Sequence, residues 1–83
     1  MKTIKEKISK SNTVIGLKQV VKHAHKAELE EIFLASDVDD FLKKKVSLIA
    51  DEKDVPVTIV GTMHKLGKAC KIDVSAAVVG ILK

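Results

Sequence analysis

Three polar side chains close together, Lys18, Gln19 and Lys22, are the residues best placed to do chemistry. The two lysines offer charged donors, and the glutamine amide both donates and accepts. Together those are the groups needed to read guanine and adenine edges. They stand in the stretch Gly16-Leu17-Lys18-Gln19-Val20-Val21-Lys22. Within and just past it, Leu17, Val20, Val21 and Ala24 recur at the i, i+3, i+4, i+7 spacing of a helix with one buried stripe, which leaves Lys18 and Lys22 together on another side. Val14 and Ile15 lead straight into Gly16. A brief strand should therefore run into a helix N-terminus with no Cβ at the junction, where the backbone of another molecule can come close. An ordinary solvated helix face fits the same residues.

Other constellations offer less. His23 and His25 stand two apart, which on a helix points them some 200° from each other and spoils a shared metal site. His64 has no serine or carboxylate at a telling spacing. Asp37, Asp39 and Asp40 suit a magnesium cluster on composition, but at a strand-to-helix junction they serve equally as helix caps and dipole partners. Cys70, beside Ala69 and an inward Leu66, reads as a small core residue. The four glycines make no Gly-x-Gly-x-x-Gly motif or phosphate loop. The expectation is a protein that binds and does not catalyse, with no metal and no cofactor.

Length and charge set the bounds. Eighty-three residues with 46% apolar content allow one domain, residues 1–83, around one modest core. The run Ala76-Ala77-Val78-Val79-Gly80-Ile81-Leu82 is far shorter than the roughly 20 residues of a spanning helix, so no membrane partner is expected. The first seven residues alternate charge too soon for a signal peptide, and one cysteine cannot make an internal disulfide. A cytoplasmic protein is expected. Net charge is only +4, but residues 1–26 carry seven lysines against one acid, residues 27–54 four against nine, and residues 55–83 four against one. A fold that brings both ends to one side has a basic face and an acidic back, which suits a polyanion, although a mixed solvated surface accounts for the same counts. Every basic residue is lysine, so phosphate contacts are point-charge contacts and not bidentate forks. Phe33 and Phe41 both sit among apolar neighbours, which leaves no aromatic platform for stacking bases.

The elements that must position these residues follow from periodicity. Residues 3–10 predict a short helix with Ile4 and Ile8 on one side. Val14 and Ile15 predict a strand, and the helix after Gly16 extends to about Lys26. Leu29 to Ala35 reads as a buried strand closed by Ser36 and Asp37. From Val38 to about Lys53, Val38, Phe41, Leu42, Val46 and Ile49 keep helical spacing, with Lys43-Lys44-Lys45 on the wet side. Asp54 and Pro56 end that helix. Val57 to Val60 is the next strand, Met63 to Cys70 a short helix, Ile72 to Ser75 a loop, and Ala76 to Leu82 a strand buried on both faces. Strands alternating with helices predict the α/β class, a three-layer α-β-α sandwich on a small central mixed sheet.

Three stretches also resemble a known family. The Gly16–Lys22 heptad is similar to the RNA-binding signature of the ribosomal protein L-seven-Ae family, Gly-x-Asn-Glu-x-x-Lys, and more so to its bacterial form, Gly-x-Lys-Gln-x-x-Lys. Leu34-Ala35-Ser36-Asp37-Val38-Asp39, and Leu66-Gly67-Lys68-Ala69-Cys70-Lys71-Ile72-Asp73-Val74 running into Ser75-Ala76-Ala77, resemble it as well. The resemblance reaches from about Val14 to Leu82. It implies a non-enzymatic RNA-binding protein of the ribonucleoprotein class that recognises the kink-turn, a sharply bent RNA helix with tandem sheared G·A pairs. A ribosome association and a monomeric state are part of the expectation.

By position, Lys18 and Gln19 stand where many members have Asn and Glu, and Lys22 matches the family lysine, so this triplet would read the G·A pairs while Gly16 lets the backbone approach. Lys26 would reach phosphate. Ile72, Val74 and Ser75 fall in the family's apolar loop, which abuts a base protruding from the bulge; the alternative tucks Ile72 and Val74 into the core, and for Ile72 it fits equally. Two departures concern loop geometry: Lys71 where relatives have Gly, and Lys26-Ala27 where they often have Arg-Gly, so that a tight turn is made without glycine. The competing expectation is a protein-interaction or ribosomal structural subunit of the same fold, using Ile72 and Val74 against a protein and binding no kink-turn by itself.

Overall fold

The computed structural model describes residues 12–70 and 75–83. Along them run β1 (Thr13–Ile15), α1 (Leu17–His25), β2 (Leu29–Ala35), α2 (Asp40–Lys53), β3 (Val57–Val60), α3 (Met63–Ala69) and β4 (Val78–Leu82). The helix expected over residues 3–10, and the loop residues Lys71, Ile72 and Val74, lie outside the described residues.

The strands form a mixed sheet in the order β1-β4-β2-β3. β2 and β3 are parallel, and α2 makes the crossover that such a pair requires. β4 inserts antiparallel between β1 and β2. Register sorts the core into two faces. Val14, Gly80, Ile32 and Val57 form one row across the sheet, and Ile15, Val79, Phe33 and Thr58 the next row, on the opposite face. Ile32 and Gly80 in the first row and Phe33 and Val79 in the second are all buried, so both faces are covered. Burial of both faces agrees with the expected layered α/β fold. Each of Ile32, Phe33 and Leu34 stabilises the fold by about 1.5–3 kcal/mol through burial.

Gly80 makes room for the side chains that meet between the sheet and α1. A Cβ there would lie 2.7 Å from Leu29 Cδ2, 3.1 Å from Val14 Cγ2 and 3.4 Å from Val20 Cγ2. The space of the missing side chain is taken by Leu29 and Val14 from the neighbouring strands, with Val20 of α1 at contact distance.

Caps explain most boundaries. Asp39 is the N-cap of α2, its Oδ1 accepting from the Leu42 amide at 2.8 Å, so the helix begins at Asp40 and not at Val38. Asp37 Oδ1 accepts from the Met63 amide at 2.8 Å and ties this junction to the start of α3. Asp54 ends α2 in the left-handed region at φ 54°, which aspartate tolerates. β4 begins at Val78 rather than Ala76 because the Ala76 amide donates to the Met63 carbonyl, at 3.0 Å, instead of joining a ladder.

One core assignment fails. Phe41 is 72% exposed, where its spacing suggested an inward residue. The inward stripe of α2 is set by Val46 and Ala50, and five residues at about 100° each turn Phe41 some 140° from Val46. Leu48, seven residues on, shares its outward stripe and is 69% exposed.

Candidate nucleic-acid interface

The candidate site is built on the junction of β1 with α1. The β1–β4 ladder continues to Gly16, whose amide donates to the Val78 carbonyl at 2.9 Å. Gly16 then turns the chain at φ 99°, ψ 152°, a conformation that side chains with a Cβ rarely adopt, and it is the N-cap of α1. A Cβ built there would meet nothing within 4 Å. The glycine is thus needed for its dihedral angle and not for room inside the fold, and the space beyond its α-carbon is open to another molecule.

The helix that starts here is uncapped by any side chain and has no acid in its first turn. The amides of Leu17, Lys18 and Gln19 have no carbonyl a turn earlier within the helix, so they and the positive end of its dipole face outward. Val20 and Ala24 are buried, and Leu17 and Val21 half-buried, as their spacing requires. Lys18, Gln19, Lys22 and Lys26 are all exposed. They follow one flank of α1 for about 12 Å, at 1.5 Å per residue. Among the described residues none of these four side chains takes a hydrogen-bond or ion-pair partner. A row of uncommitted donors with one amide acceptor beside an open backbone suits an anionic ligand that also presents hydrogen-bonding edges.

Ser75 is exposed, three residues before Val78, and so lies within about 11 Å of the Gly16–Val78 bond even in an extended path. Its expected companions Ile72 and Val74 are outside the described residues.

Lys45 joins the site although nothing in the sequence places it there. With Leu17, Lys18 and Val21 it lines a groove of about 420 Å³ between α1 and α2. The lysine run at residues 43–45 was the only available signal, since spacing within α2 cannot report which residue faces α1.

The far end of α1 closes in a Schellman turn. The Glu28 amide donates to the His23 carbonyl and the Ala27 amide to the Ala24 carbonyl, both at 3.0 Å. Ala27 occupies the left-handed position at φ 57°, where glycine is usual. The tight turn expected without glycine is thus made, and it is made under strain. His23 Nδ1 lies 2.8 Å from Glu28 Oε1, which links the same two residues by their side chains and turns the ring away from any site shared with His25. Among the described residues no cluster of three His, Cys, Asp or Glu side chains could hold a metal. Partial burial pushes the Cys70 thiol up from its ordinary pKa, which disfavours the nucleophilic thiolate. No described helix is long and apolar enough to cross a membrane.

Comparison with known proteins gives a consistent result. The chain is 49% identical over 70 residues to the RNA-binding protein YbxF of Geobacillus stearothermophilus, covering 84% of this chain and 85% of that one. It is 33% identical over 82 residues to an RNA-binding protein of Staphylococcus aureus strain JH9, covering 95% and 98%. Among solved structures it resembles the Giardia lamblia 15.5kD RNA binding protein with a TM-score of 0.84 at 26% identity, over 95% of this chain and 67% of the other. The model of the ribosomal protein L7Ae/L30e/S12e/Gadd45 family matches residues 1–83. The chain belongs to that ribosomal protein L7Ae/L30e/S12e/Gadd45 family, in a bacterial L7Ae-like branch.

Proposed function

We propose that this protein binds structured RNA and that it recognises kink-turns, stabilising the bent state by binding it more tightly than the extended one. The observation that carries the reading is the exposed Lys18, Gln19 and Lys22 flank directly beyond a glycine at φ 99° with open space in front of it. Relatives described as RNA-binding proteins support the RNA class. In this reading Gly16 admits the RNA backbone, and Gln19 with Lys18 and Lys22 reads the sheared G·A pairs. Lys26 meets phosphate, and Ser75 contacts the bulge together with Ile72 and Val74. Gln19 keeps an acceptor oxygen without the carboxylate charge, so its bond to a guanine N–H is weaker than a glutamate's. The activity is binding by a cytoplasmic monomer that folds as one domain, with no catalysis and no cofactor. Association with a ribosome is one setting in which such a motif would be met.

Titration of variants against an intact kink-turn duplex and one with its G·A pairs disrupted tests the proposal. Gln19→Ala should lose about 1–3 kcal/mol of discrimination between the two, and Lys26→Ala should weaken both about equally. Unchanged discrimination by Gln19→Ala counts against base reading by this flank.

A further inference from the structure

Phe41 is the one phenyl ring that folding leaves exposed among the described residues, since Phe33 is buried in the sheet. Folding gains almost nothing from it, because burial is what makes an apolar side chain stabilising. Its surroundings are basic and continuous with the flank of α1. Lys45 Nζ stands 5.9 Å from the centroid of the Phe41 ring. The same lysine lines the groove with Leu17, Lys18 and Val21. Lys43 and Lys44 border the ring on the other side, in a shallow depression shared with Asp40 and Ser47. A single lysine thus connects an exposed aromatic face to the Lys18 end of the candidate interface.

We propose that the RNA footprint extends across this groove, with Lys45 meeting a backbone phosphate and Phe41 stacking against an unpaired base that flanks the bent duplex. The proposal rests on the RNA-binding reading of α1 given above. Its occupant is set by two features: continuity with that flank through Lys45, and the charge of three successive lysines against one aspartate. With the Lys45 ammonium over one face of the ring, the opposite face accepts any base by its π-system while the cations hold the adjoining phosphates, so the contact is tolerant of sequence.

The test uses the full chain and two RNAs: a blunt kink-turn duplex, and the same duplex with a short single-stranded adenosine extension at the 3′ end of each stem. Wild-type protein should bind the extended RNA about tenfold more tightly, and Phe41→Ala should remove that gain while leaving blunt-duplex affinity unchanged. Because the chain has no tryptophan, Phe41→Trp adds a local reporter. The indole fluorescence of that variant should be quenched by the extended RNA and not by the blunt one. Phe41→Ala binding both RNAs as the wild type does, or an unquenched indole at saturation, overturns the proposal and leaves the ring to a protein contact. Failure of the underlying reading shows separately, as wild-type indifference to the G·A pairs of the blunt duplex. With the ring exposed these variants are expected to fold, and circular dichroism checks that they do.

Discussion

At the scale of single residues, two backbone conformations define the ends of α1. Gly16 at φ 99° opens it and Ala27 at φ 57° closes it. The first serves the proposed contact with RNA, because any other residue there would strain the junction and crowd the approach. The second serves only the turn. Ala27→Gly should therefore raise stability by about 0.5–1 kcal/mol, read as a shift in the urea midpoint, with RNA affinity unchanged. A loss of stability would show that the left-handed turn is not under strain. In the proposed reading Gln19, with Lys18 and Lys22, carries specificity and Lys26 supplies affinity; the paired titration of Gln19→Ala and Lys26→Ala separates the two.

At the scale of elements, the sheet decides where the flank of α1 points. Gly80 makes room for Leu29 and Val14 beneath α1, and a methyl group there would press on both, with Val20 at contact distance. Gly80→Ala should cost about 1–3 kcal/mol in equilibrium unfolding, the range for an overfilled core. Stability equal to that of the wild type would show that Leu29 and Val14 have slack over the sheet. The periodicities that place strands and helices were readable in the sequence, because Ile32–Ala35 of β2 and the whole of β4 are continuous apolar runs and α1 has a clean buried stripe. Phe41 was misread because Phe41, Leu42, Val46 and Ile49 crowd the sequence with apolar residues on more than one side of α2, and only packing against Val46 and Ala50 fixes the phase. The start of β4 was misplaced for a related reason: Ala76 is buried like a strand residue, yet its amide bonds to Met63. Of the candidate site, the α1 flank was legible from one helix alone. Lys45 was not, since its place beside Lys18 depends on how two helices meet, which no local pattern encodes.

At the scale of the whole molecule, the proposed function is a shift of RNA population by a ligand with few base contacts and many lysines. The apparent affinity should fall steeply with salt, and removing Lys26 should lower the slope of log K against log salt by about one unit. An unchanged slope would take Lys26 off the phosphates. The central claim is that the protein favours bent RNA, and end-to-end energy transfer in a kink-turn duplex labelled at both termini measures it most directly. Titration with protein should draw the ends together in the intact duplex and leave the G·A-disrupted duplex extended. Binding without any change in end-to-end distance, or the same response from both duplexes, would contradict the account.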